Sequence, residues 1–425
     1  MYIRRDKSNL HFGRQARRRG SSTLLIVWVV IMAAAMAVIW RFNKVQSWVL
    51  ASVGSEPTAT PDAVSLARLG ERAFLAGDIE TSIGNYERAA ALVPNNIDIL
   101  FEYGRMLIYR SYAGRSYSFR ATEALGVAQN AVQIAPDNPR AQALLCMALL
   151  ENERAEEAIG AGLRAVQLAP DYAEAHAYLS LAYYRAGRPN QAFTEGEQAV
   201  KLNPDSLDAR RALALSLAFV GEFTAAVQQY ERAIQIHPRF DALYFELAVY
   251  YKAQDNYDAA IAAYDQVLAM EPENVKAYTR KCETYFTMRE DSLAQEACEQ
   301  AIQLDPNYPE AHRQLGMVRY TRRNYEGAIE SFEQCAKLQE DQNIPLPDRE
   351  IECYYIRGLA WSLLARCDEA WPILQEALQM NPNETIKGFI NEGLMSCVNY
   401  EGYDINTIPT SIPPTPIPPE PIGVF

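Results

Sequence analysis

Leu207–Phe240 reads LDARRALALSLAFVGEFTAAVQQYERAIQIHPRF. Its apolar residues fall into two runs of helical spacing. The first run ends near Gly221 and the second spans Thr224 to Ile236. Pro238 then stops the chain, because proline has no N–H to donate and its ring clashes with the preceding turn. The stretch predicts a helical hairpin, and its neighbours decide whether that hairpin stands alone.

It does not. Pro136, Pro170, Pro204, Pro238, Pro272 and Pro306 recur every 34 residues. Pro94 precedes the series and Pro382 follows it, each after one or two periods lengthened by eight residues. A fixed period of this length is the signature of a stacked-repeat protein. Nine repeats result, starting at Ala63, Ile97, Pro139, Ala173, Leu207, Asp241, Val275, Pro309 and Ile351. Repeat position 8 is almost always small: Gly70, Gly104, Cys146, Ser180, Ala214, Ala248, Cys282, Gly316 and Gly358. Position 20 is Ser82 and then alanine in every later repeat, from Ala124 to Ala370. Small residues at matched points let two antiparallel helices approach closely. Large residues at positions 4, 7, 11 and 24, such as Tyr244, Leu247, Tyr251 and Tyr264, fill the space beside them.

This pattern resembles the tetratricopeptide repeat family, over residues 63–384. The small residue at 8, alanine at 20, small residue at 27 and proline at 32 carry the resemblance. It implies an all-α, right-handed α-solenoid of nine helix pairs whose first helices line a concave face. It also implies a protein that holds other proteins or peptides. The chain departs from the pattern through an eight-residue insertion in repeat 2, another before repeat 9, and Glu340 in place of proline. Asn383 to Tyr400 reads as one more amphipathic helix, a cap for the solenoid end.

The flanks differ in kind. Residues 1–19 carry Arg4, Arg5, Lys7, Arg14, Arg17, Arg18 and Arg19 against Asp6 alone, in a chain of 425 residues with net charge −13. No charge occurs from Gly20 to Trp40. About 20 apolar residues cross a bilayer as a helix, and the more basic flank stays in the cytoplasm. The expected order is a basic cytoplasmic head (1–19), a single transmembrane helix (20–41), a linker (42–62), an extracytoplasmic solenoid with its cap (63–400), and a disordered proline-rich tail (401–425). The rival reading is a cleavable signal peptide cut near Ala33-Ala34-Ala35. The apolar run continuing through Trp40 argues against it.

Chemistry is sparse. His11, His176, His237 and His312 are scattered, no CxxC or paired-His motif occurs, and no cofactor or metal is expected. Gly160-x-Gly162-x-x-Ala165 mimics a dinucleotide fingerprint but lies inside a second helix with no strand before it. Asn383-Glu384-Thr385 matches a glycosylation sequon and carries little weight. The acidic balance excludes a general nucleic-acid footprint. Catalysis is not expected. Protein or peptide partners are, with the membrane reached through the single N-terminal helix.

By the resemblance, positions 2, 5, 9, 12 and 13 of the first helices line the groove. The candidate groove residues are Phe101, Met147, Leu150, Leu181, Tyr184, Leu215, Phe245 and Val249, an apolar stripe of the kind that marks a binding surface. The alternative is that they pack against one another in a tightly wound superhelix. No asparagine stands at position 6, which argues against the carboxylate-gripping clamp found in some members. The insertion RSYAGRSYSFR, Arg110 to Arg120, interleaves Arg with aromatics. It reads as longer helices with covered ends in preference to a patch for a glycan, an acidic partner or lipid. Rival functional readings are a structural envelope element using the proline-rich tail, and an accessory subunit of an envelope enzyme or secretion assembly.

Cys282 and Cys298 occupy positions 8 and 24 of one repeat, which face each other across its two helices. Both depart from the residues usual there, and the expected compartment permits a disulfide. Cys367 begins a second helix and Cys397 ends the capping helix beside it, so these should meet. Cys335 and Cys353 form a third candidate pair across the insertion. Cys146, opposite Gly162, should remain a free buried thiol. Seven small core cysteines are the alternative.

Overall fold

A computed structural model describes residues 62–114 and 117–401, together with Val27, Trp28, Val30, Ile31 and Met32. Those five are helical and exposed. The rest of the expected membrane helix, the head, the linker before Asp62 and the tail after Glu401 lie outside the described residues. Among the described residues no helix is long and apolar enough to cross a membrane.

The unit beginning at Ala63 is built from helices alone among the described residues. The first four pairs are α1 (Ala63–Leu75) with α2 (Ile79–Leu92), α3 (Ile97–Ser111) with α4 (Phe119–Ile134), α5 (Pro139–Glu151) with α6 (Ala155–Leu168), and α7 (Ala173–Arg185) with α8 (Pro189–Leu202). They continue as α9 (Leu207–Phe219) with α10 (Phe223–Ile236), α11 (Asp241–Ala253) with α12 (Tyr257–Met270), and α13 (Val275–Thr287) with α14 (Asp291–Leu304). The last are α15 (Pro309–Thr321) with α16 (Tyr325–Asp341), then α17 (Glu352–Leu363) with α18 (Cys367–Gln379), followed by the single helix α19 (Glu384–Glu401). Each helix packs on the next, and several successive first helices also touch.

The repeat positions explain the packing. An added Cβ at Gly70 would stand 2.7 Å from the Tyr86 ring, and one at Gly316 would stand 2.7 Å from the Phe332 ring. In these repeats, and at Gly358 beside Leu374, position 8 is small because position 24 of the same repeat lies on it. Cys282 and Cys298 occupy this same pair of positions, with Cα atoms 5.2 Å apart and a disulfide between them. Cys335 and Cys353 are joined from α16 to α17, and Cys367 and Cys397 from α18 to α19. Cys146 is free and buried beside Gly162, and burial pushes its thiol up.

Position 4 does more than fill space. The side chains of Gln142, His176, Arg210, Tyr244 and His312 each donate to the carbonyl of the proline six residues earlier, at 2.8–2.9 Å. The proline that ends one repeat is thus tied to the helix that begins the next. His176 and His312 are spent on this bond, and His176 also meets Glu195 at 2.6 Å. The turn within a repeat places position 15 at positive φ. Glycine fills it at Gly77, Gly187 and Gly221, but Glu153, Asp255, Arg289, Arg323 and Ala365 take it without that freedom.

The two insertions act differently. Before repeat 9, α16 runs on to Asp341, so Glu340 is helical where other repeats break, and a 3₁₀ turn at Leu346–Asp348 leads into α17. In repeat 2, α3 is longer than the other first helices and α4 longer than every other second helix but α16, as expected, and Arg110 stacks on Tyr117 at 3.6 Å. Arg110 and Arg120 both reach Glu80. The insertion also sends Tyr112 inward, which the sequence reading did not anticipate.

Candidate functional site

The inner face is closed across one superhelical turn. Asp208 on α9 is 2 % exposed and accepts hydrogen bonds from Tyr109 at 2.6 Å and Tyr178 at 2.7 Å, with Arg105 at 3.5 Å. Phe74 of α1 packs on Tyr109, His237 and Phe240, and Arg239 donates to the Ala76 carbonyl. Residues more than 160 positions apart in the chain therefore touch. A buried carboxylate needs such partners to remain tolerable in a dry interior.

This closure sorts the candidate groove residues. Phe101 and Met147 are 2 % and 1 % exposed and belong to the core, which is the packing alternative. Phe101 lies near Tyr172 and Tyr178. Leu150, Leu181, Tyr184, Leu215, Phe245 and Val249 instead come together as one wall of a cavity of about 410 Å³. Of these, Tyr184 and Val249 are half-buried and the others buried.

The rest of the cavity is polar and was not singled out from the sequence. Tyr112 roofs it: its hydroxyl accepts from Arg211 at 3.0 Å and donates to Glu151 at 3.2 Å, while its carbonyl accepts from Lys276 at 2.9 Å. Arg211 grips both carboxylate oxygens of Glu246. Lys252 and Arg280 share Glu283 at 2.9 and 2.7 Å. Burial opposes a charge on Glu283, but Arg280 and Lys252 outweigh it and hold its carboxyl at about 2. Lys276 lies over the Phe245 ring at 4.5 Å. Burial pushes its amine down to about 8, Arg280 adds to that, and Asp241 and Glu246 pull the other way. Lys276, Arg211 and Glu246 occupy repeat positions 2, 5 and 6 of first helices. Charges at groove-lining positions 2 and 5 were a signal available in the sequence.

The arrangement can hold a ligand: apolar side chains and several cations line one cavity, in a volume within the ordinary range of binding sites. Among the described residues no group of three His, Cys, Asp or Glu is placed to hold a metal ion.

Three tetratricopeptide repeat family models match the chain, over residues 251–312, over residues 173–206, and over residues 120–173 with 284–342. The chain is a tetratricopeptide repeat protein. No curated protein matches it. Among solved structures it is similar to a thermophilic TPR protein of Thermus thermophilus, at 22 % identity over 45 % of this chain and 99 % of that one, with a TM-score of 0.37. A monomeric IFIT1 mutant with m7Gppp-AAAA is 16 % identical over 83 % of this chain and 79 % of that one, with a TM-score of 0.50. Yeast Tom70 is 12 % identical over 88 % of this chain and 89 % of that one, with a TM-score of 0.48. At these identities the likeness is one of fold alone.

Proposed function

We propose that this protein is a membrane-anchored, extracytoplasmic scaffold that binds protein or peptide partners through its concave face and has no catalysis of its own. The observation that carries the reading is the repeat solenoid whose first helices line a cavity of about 410 Å³, at Tyr184, Val249 and their neighbours. The family's usual work supports the binding role. The basic head and the uncharged run from Gly20 to Trp40 support the anchor and its orientation. Three cystine bridges support an oxidising compartment, since disulfides persist outside the cytoplasm.

Two measurements test this. Protease added to spheroplasts or intact cells should remove the C-terminal tail and spare the head. Cutting of the head with a protected tail reverses the orientation. Tyr184→Glu with Val249→Glu should leave the folded chain intact, because both are only half-buried, yet abolish co-purification of partners held by the unaltered chain. Retention of the same partners by the double variant contradicts the groove as their site.

A further inference from the structure

The cavity has more definite chemistry than a general protein-binding face. Tyr112 closes it above, and the Asp208 cluster fills the inner face beside it. The cavity volume of about 410 Å³ corresponds to roughly a dozen non-hydrogen atoms at the space a water occupies in the liquid.

The charges define the occupant. Arg185, Arg211, Lys252, Lys276 and Arg280 line the cavity with Glu151 and Glu246. Glu283 stands behind Lys252 and Arg280, and Asp241 acts on Lys276. Five cations meet four carboxylates, which leaves one positive charge in surplus. The surplus is localised. Arg211 is matched by Glu246, whereas Lys252 and Arg280 share the single charge of Glu283. Lys276 donates to a backbone carbonyl and lies over the face of Phe245, with Asp241 and Glu246 attracting it, and Arg280 lies one turn further along the same helix. Arg280 keeps 42 % of its side-chain surface exposed. Two cations one helical turn apart repel each other unless an anion lies between them. Leu150, Leu181, Leu215 and Val249 supply apolar lining to the same cavity.

We infer that this cavity is a binding site for a small organic carboxylate with an apolar body, the carboxylate between Lys276 and Arg280 and the body against Leu181, Leu215 and Phe245. A single negative charge matches the surplus. A doubly charged phosphate would leave excess negative charge facing Glu151 and Glu246. This goes beyond the scaffold reading and stands or falls separately from partner capture.

The test uses the full chain in lipid nanodiscs, with empty nanodiscs as the reference for partitioning. The probes are 4-phenylbutyrate, 4-phenylbutanol and 4-phenylbutylamine, titrated by calorimetry. The carboxylate should bind saturably, and about tenfold or more tighter than the alcohol, the scale of a hydrogen-bonded charge pair. The amine should be excluded. Lys276→Gln should erase the preference for carboxylate while leaving alcohol binding unchanged. Leu215→Trp, which fills the space, should remove both. Carboxylate affinity should fall as pH rises through about 8, where Lys276 loses its proton, and alcohol affinity should not. Asp241, Glu246, Glu151, Glu283 and Arg280 stand around the cavity, and Glu283, held at about 2 by Arg280 and Lys252, keeps its charge over that range. Absence of saturable carboxylate binding, equal affinity for carboxylate and alcohol, or a preference that survives Lys276→Gln would each overturn the assignment.

Discussion

Glu283 shows how much a single buried residue can hold. Its carboxylate is 8 % exposed and joins Lys252 on α11 to Arg280 on its own helix. Removing one member of a buried ionic cluster leaves the others uncompensated, at a cost of about 3–5 kcal/mol. Glu283→Gln should therefore lower the unfolding free energy by an amount near that range, read from urea denaturation at pH 7. The pH dependence has a definite sign. The folded carboxyl sits at about 2, below its ordinary 4.5, so its contribution is fully present above 4.5. It is lost as pH falls from there towards 2. The stability gap between the unaltered chain and the variant should close over that interval. A gap that stays constant down to pH 2, or one below about 1 kcal/mol at pH 7, would contradict the assigned role. Lys276 differs: its hydrogen bond goes to a carbonyl and its charge lies over a ring face, with Asp241 and Glu246 attracting it. That is why it can answer to a ligand while Glu283 answers only to the fold.

At the scale of the element, the repeat pattern made the hairpins legible. The spacing of prolines placed the ends, and the pairing of positions 8 and 24 brought Cys282 to Cys298 before any coordinates were needed. What the pattern did not reveal was the use of position 4, where Gln142, His176, Arg210, Tyr244 and His312 share one bond despite sharing no chemistry beyond a donor. Averaging over residue types hides a role that any N–H or O–H can fill. The disulfides have an uneven placement with a consequence. They join α13 to α14, α16 to α17 and α18 to α19, whereas one continuous core runs from Ala63 to Tyr250. The C-terminal repeats have smaller, separate cores. Each bond adds on the order of 2–4 kcal/mol. Reduction should loosen residues 275–401 first. Limited proteolysis with and without reductant should give new early cuts in that region alone. New cuts within residues 63–240, or an unchanged pattern, would contradict it.

At the scale of the whole solenoid, the sequence was legible only within one repeat and its neighbours. Helical periodicity reports which face of a helix is buried, not which distant helix buries it. Whether the apolar stripe faced a partner or its own chain depended on contacts such as Lys276 with Tyr112 and Arg239 with Ala76, each made across a full superhelical turn. Phe101 and Met147 are core, while Leu150, Leu181, Tyr184, Leu215, Phe245 and Val249 surround a space. The insertion in repeat 2 decides the difference, because it carries the residue that roofs that space. The central claim is that this remaining opening, and not the outer surface, is where the protein meets its partners. In-cell photocrosslinking tests it most directly, with a benzophenone amino acid placed in turn at Val249 on the cavity wall and at the exposed Leu163 on the second helix α6. The account predicts a discrete protein adduct from Val249 and none from Leu163. The same adduct from Leu163, or none from Val249, would contradict it.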